Sequence, residues 1–166
     1  MGGNGNAGTV NFADKPHPKD LVIRRTLNAP RPLVFEAFTQ AKHLARWWAP
    51  KPYTTPKCEV DLRTGGKWNY TFRSPSGQEH DCQAIYREVD PPKKLVMESA
   101  VPGPGGKPFF RIRQTLHLHE KGARTELVLE VKVLEANPGS EPFLGGMEAG
   151  TNGTLDNLVE YLAAKP

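Results

Sequence analysis

The chain has 166 residues, of which 16 are glycine and 16 proline, a turn-rich composition still short of the roughly 25–30% seen in low-complexity disorder. Hydrophobic residues make up 37%, and no apolar run approaches the roughly 18 residues of a membrane-spanning helix. One domain is expected at this length, which excludes a disulfide-stapled miniprotein, a fibre and a multidomain enzyme.

Net charge is +4, from 22 basic and 18 acidic residues. The two signs interleave along most of the chain, whereas a nucleic-acid binder concentrates its basic residues on one face. The densest basic stretch, KHLARWWAPK, holds Trp47 and Trp48, read here as sealing a helix against a sheet rather than stacking on bases. No nucleic acid and no membrane is therefore expected as a partner. Residues 1–19 read as a flexible leader ahead of a single domain over 20–166. The start lacks the basic and apolar regions of a secretory signal, and Asn6 stands where a myristoylation motif wants Ser or Thr. Cys58 and Cys82 read as free thiols of a reducing compartment, so the expected location is cytoplasmic.

After the leader, DLVIRRTL alternates: Leu21, Ile23, Arg25 and Leu27 share one face, the signature of a strand. NAPRPLVFEAF then predicts a short helix, with Asn28 or Ala29 as cap and Pro30 in the first turn. AKHLARWWAP predicts a second, ending at Pro50. From residue 56 the period becomes two. Strands are expected on either side of Gly65-Gly66, with Trp68, Tyr70 and Phe72 on one face, then over QEHDCQAIYREVD and KLVMESAV. A hairpin turning at Lys121-Gly122 follows. Phe110, Ile112, Gln114, Leu116 and Leu118 share its apolar face with Leu127, Leu129, Val131 and Val133, while Arg111, Arg113, His117 and His119 take the other. One face is apolar and one charged, as in an antiparallel sheet solvated on one side. The chain closes on a long helical pattern from Phe143, with Met147, Thr151, Thr154, Leu155, Leu158 and Leu162 as its stripe. Gly145, Gly146, Gly150 and Gly153 weaken its first half, each costing near 1 kcal/mol relative to Ala.

The apolar sheet face must be covered, and the terminal helix is the only long amphipathic element available. The expected class is α+β: a curved antiparallel sheet of six to seven strands wrapped around a C-terminal helix, with a cavity between them.

This order and its local motifs resemble the family of activators of heat-shock-protein-ninety ATPase homologues, within the START-like (SRPBCC, birch-pollen-allergen-like) superfamily. The matching segments are RRTLNAPRPLVFEAFT at 24–39, HLARWWAP at 43–50, EVDLRTGGKWNYTF at 59–72, YREVDPPKKLVM at 86–97, TELVLEV at 125–131 and GMEAGTNGTLDNLVEYL at 146–162. The resemblance implies the helix-grip fold over residues 21–164. Two positions depart from the family pattern: Ala84 replaces a usual glycine, and Thr151 a usual tryptophan, whose loss implies more free volume, or a different ligand shape, between helix and sheet. Nothing in the chain resembles the co-chaperone's N-terminal chaperone-binding domain, so a chaperone partner or stress-response role is the third reading. Polyketide cyclases in the superfamily keep an acid–base enzyme as the second, with Glu98 or His80 as candidates.

Other motifs reduce to ordinary structure. His117 and His119 project from one face but share it with Arg111 and Arg113, so no metal is expected. Gly106-Lys107 runs into Pro108, and Gly66-Lys67 into Trp68, so neither begins a phosphate-binding loop. No Gly-x-Ser-x-Gly elbow and no other catalytic residue set is present, and no cofactor is expected. Cys58 and Cys82, with one strand between them, fall roughly 10 Å apart, too far to bridge.

Polar residues in apolar phase are more informative, because buried polar groups need partners. Arg25, Gln114, Thr151 and Thr154 are expected to orient a ligand. Trp68, Tyr70, Phe72, Leu116, Leu129, Met147 and Leu158 would form the walls, and the glycine-rich helix start with loop 136–146 a mobile gate. The first reading is therefore a module binding a small apolar molecule between sheet and helix. A homodimer remains open.

Overall fold

The computed structural model describes residues 10–12 and 14–164. Of the segment read as a leader, residues 1–9 and Ala13 lie outside the described residues. Within the rest of it, β1 (Val10–Asn11) pairs with the chain's last strand.

β2 (Leu21–Leu27) leads into two short helices, α1 (Arg31–Thr39) and α2 (Ala41–Trp47). α1 begins differently from the sequence expectation. Pro30 itself is the N-cap, with no side-chain cap hydrogen bond. Pro32 follows in the first turn, where a missing N–H costs nothing. Five strands follow: β3 (Thr54–Val60), β4 (Lys67–Arg73), β5 (Glu79–Asp90), β6 (Lys94–Pro102) and β7 (Pro108–Lys121). β8 (Arg124–Ala136) completes the hairpin, and α3 (Glu141–Gly145) and α4 (Met147–Ala164) end the chain. The closing pattern read as one helix is thus two, because Gly146 stops α3 at φ −96°, ψ 0° before α4 starts.

All strand pairs are antiparallel, in the order β2-β8-β7-β6-β5-β4-β3, with β1 also on the β8 edge. Register breaks in β3, β5 and along β6–β8 act as bulges that bend the strands, and Pro56 is tolerated because β3 is an edge. The turn between β3 and β4 needs its glycines. Gly65 has φ +85°, and a Cβ on Gly66 would sit 2.0 Å from the Asp61 carbonyl oxygen. Both glycines also bond to the backbone of Tyr86 in β5, which ties the turn to the sheet.

The inner face matches the two-residue phase. Leu95, Leu116, Leu118, Leu127 and Val133 are fully or almost fully buried beneath Phe38, Leu44 and Trp47 of the short helices and Leu155 and Leu158 of α4. The Trp47 indole donates to the Ala37 carbonyl, so that residue ties α2 to α1. On the outer face Glu98 lies between Arg87 and Arg113, and Arg111 pairs with Glu135. His117 and His119 stack there with ring centroids 6.3 Å apart. No helix among the described residues is long and apolar enough to cross a membrane.

Candidate functional site

Between the sheet and the first half of α4 lies a cavity of about 450 Å³. Phe72, Phe110, Gln114 and Leu129 line its sheet side. Across from them stand Met147, Gly150, Thr151, Thr154 and Leu155 of α4. Trp48, Pro50 and Tyr53, from the loop between α2 and β3, close one flank, and Phe143 and Gly146 the other. Tyr53 and Phe143 are exposed, so the mouth is aromatic.

Of the residues read from the sequence as a site, Phe72, Gln114, Leu129, Met147, Thr151 and Thr154 line this cavity. The others lie elsewhere. Leu116 and Leu158 are wholly buried in the core. Trp68 is covered by Trp48 at a centroid distance of 4.8 Å and donates from its indole to Cys58 Sγ. Tyr70 is buried between Trp68 and Phe72. Arg25 is committed to α4 instead: its guanidinium pairs with Asp156 at 2.9 Å and donates to the Asn152 backbone and side-chain oxygens. Of the two candidate acid–base groups, Glu98 points outward into its arginine pair, and His80 is exposed on β5.

Trp48, Pro50, Tyr53, Phe110 and Phe143 escaped that reading. Phe110 carried a usable signal, since it shares the phase of Ile112 and Gln114. The 48–53 loop is placed by tertiary bonds. Asn157 of α4 donates to the Ala49 carbonyl, and Lys51 pairs with Glu160. Ala49 is held at φ +139°, a conformation that persists only where its surroundings enforce it.

Among the described residues the lining contains no Asp, Glu, His, Lys, Arg or Cys, and Tyr53 is its single titratable side chain. Gln114 and Thr151 make no side-chain hydrogen bond with another described residue, while the Thr154 hydroxyl donates to the Gly150 carbonyl at 3.0 Å. The two thiols flank Tyr70 across neighbouring strands, Cys58 from β3 and Cys82 from β5. Burial pushes both thiols up, and the Tyr70 phenol with them, so neither cysteine is an activated nucleophile. A larger depression, about 880 Å³, runs along the outer side of β3–β7. Several of its polar groups satisfy each other: Asn69 with Gln83, Thr71 with Asp81, and Glu98 with Arg87.

A curved antiparallel sheet closing on a C-terminal helix around an apolar cavity defines a helix-grip, START-like domain. Residues 28–163 match the family model described as Activator of Hsp90 ATPase homolog 1-like protein, and the chain belongs to that family. Solved structures agree on the fold. A protein from Rhizobium leguminosarum superposes with a TM-score of 0.76 at 23% identity, covering 88% of this chain and 95% of its own. One from Nitrosomonas europaea gives 0.72 at 25% identity, covering 89% and 96%. The AHSA1 protein of Silicibacter pomeroyi gives 0.72 at 19% identity, covering 87% and 97%. No curated protein matches the chain.

Proposed function

We propose that this protein is a binding module that holds a small, largely apolar molecule between its sheet and α4, acting as one domain over residues 20–166 in the cytoplasm. The observation that carries this reading is the cavity itself. At about 450 Å³ it falls within the range of small-molecule sites, roughly 300–1,000 Å³, and has their usual build of apolar walls with a few polar groups. With Tyr53, exposed at the mouth, as the one titratable side chain among the described lining residues, it supports binding over acid–base catalysis by a carboxylate, imidazole or thiol within reach of the substrate.

Thr151 and Gly150 give the test. Titration of the purified protein with the neutral fluorophore N-phenyl-1-naphthylamine, together with native mass spectrometry for co-purifying molecules, measures occupancy of the cavity. Thr151→Trp fills the space from α4, and Gly150→Leu fills it from an adjacent helical position. Each variant, once circular dichroism shows it folded, is expected to lose at least about tenfold in affinity, or about 1.4 kcal/mol. Absent binding in the wild type, or unchanged affinity in both folded variants, refutes the reading.

A further inference from the structure

The chemistry of the ligand can be narrowed from one side chain. Gln114 stands near the middle of β7, with Ile112 and Leu116 along the strand and Met97 and Val131 across it. All four neighbours are buried. Gln114 itself is half-buried and opens on the cavity, and its side chain bonds to no other described residue. A ligand that displaces water there leaves the amide unsatisfied unless it supplies a partner. It lines the cavity across from Thr151, whose hydroxyl is likewise uncommitted. An amide offers a donor and an acceptor in one plane, so it is satisfied by a group that carries both.

Two further features restrict the partner. Among the described residues the lining contains no cation, and Arg25, the one arginine read from the sequence as a ligand group, is occupied by Asp156 and Asn152. A carboxylate placed here would lose its hydration with nothing charged to replace it. Trp48, Tyr53, Phe72, Phe110 and Phe143 surround the space, and aromatic rings favour offset or edge-on contact with another ring.

We propose, building on the binding role above, that the cavity selects uncharged aromatic molecules bearing one amide-like group, with Gln114 as the specificity-determining residue. Carboxylates of the same skeleton are rejected.

Three probes of one skeleton test this: 2-naphthamide, 2-naphthoate and 2-methylnaphthalene, each displacing N-phenyl-1-naphthylamine at neutral pH. The amide should bind at least about tenfold tighter than the carboxylate and about fivefold tighter than the hydrocarbon, a difference near 1 kcal/mol at the latter ratio. Gln114→Met, close in volume and compatible with the apolar neighbours, should reduce the amide-to-hydrocarbon ratio to about twofold or less, with each probe's affinity for the variant measured directly. Naphthoate binding as tightly as the amide, or a folded Gln114→Met variant with undiminished amide preference, overturns the proposal. Fluorophore binding without preference among the three probes overturns this inference alone. Failure of the fluorophore and all three probes to bind overturns the binding role as well.

Discussion

Asp20 occupies the gap that β1 and β2 leave on the β8 edge. β2 pairs as far as Val131 and β1 begins at Glu135, so the backbone between them has no strand partner on that side. The Asp20 carboxylate accepts from the Val133 N–H at 2.8 Å, from the His17 N–H at 2.9 Å and from the Lys132 ammonium at 3.1 Å. Burial opposes ionisation, but these donors outweigh it and hold the carboxyl below its ordinary value. Because the folded-state value is the lower one, the stabilisation is complete above the unfolded pKa of about 3.9 and is lost as pH falls through the folded value. Asp20→Ala should therefore cost about 1 kcal/mol at neutral pH, below the usual range for charged hydrogen bonds because the group is partly solvated. The gap from wild type should close below about pH 4. Urea denaturation across pH checks this, and a pH-independent gap would reject it. Nothing near Asp20 in sequence announces the role, since Val133 lies 113 residues away. Periodicity alone, by contrast, assigned Gln114 to the inner face, because side-chain alternation is a local property of a strand.

At the scale of elements, α4 shows what its glycines do. Gly150 would meet nothing within 4 Å if given a Cβ, whereas a Cβ on Gly153 would lie 3.4 Å from Pro50. Gly150→Ala should thus gain most of the helix-propensity difference, about 0.5–1 kcal/mol. Gly153→Ala should gain less, because it presses on the 48–53 loop that Asn157 and Glu160 hold. Chemical denaturation of the two variants tests the order, and a larger gain at Gly153 would refute it. The helix itself was readable: Thr154, Leu155 and Leu158, all from the predicted stripe, are its buried residues. Its separation from α3 was not, because a glycine pair is compatible both with a weak helix and with a break. Only the packing of α3, where Phe143 meets Phe109 and Phe110, decides between the two.

Across the whole molecule, the pairing of β2 with β8 joins Leu21 to Val131 and closes a loop over about two thirds of the chain. Contacts of such long sequence separation form late and slow folding, because the loop entropy is lost before the contacts repay it. Refolding is expected on a millisecond-to-second scale. Ile23→Ala, which truncates a buried β2 side chain at a cost of about 2–4 kcal/mol, should mainly speed unfolding. Stopped-flow chevrons measure both rates; a folding rate that absorbs most of the loss would show β2 pairing already formed in the transition state.

The sequence by itself determined the order of the main elements, the apolar faces of β2, β4 and the β7–β8 hairpin, the helix that covers them and the family pattern that follows from them. These depend on side-chain period and on local turn chemistry, both of which are written into neighbouring residues. Only the tertiary structure decided which inner-facing residues line open space and which are sealed in the core. Phe72 and Leu129 reach the cavity while Tyr70 and Leu116 do not, although period two makes each pair equivalent. Period gives the side of a sheet. The bend of that sheet and the course of α4 across it set how deep each side chain lies, and they arise from bulges, the 48–53 loop and contacts between residues far apart in the chain.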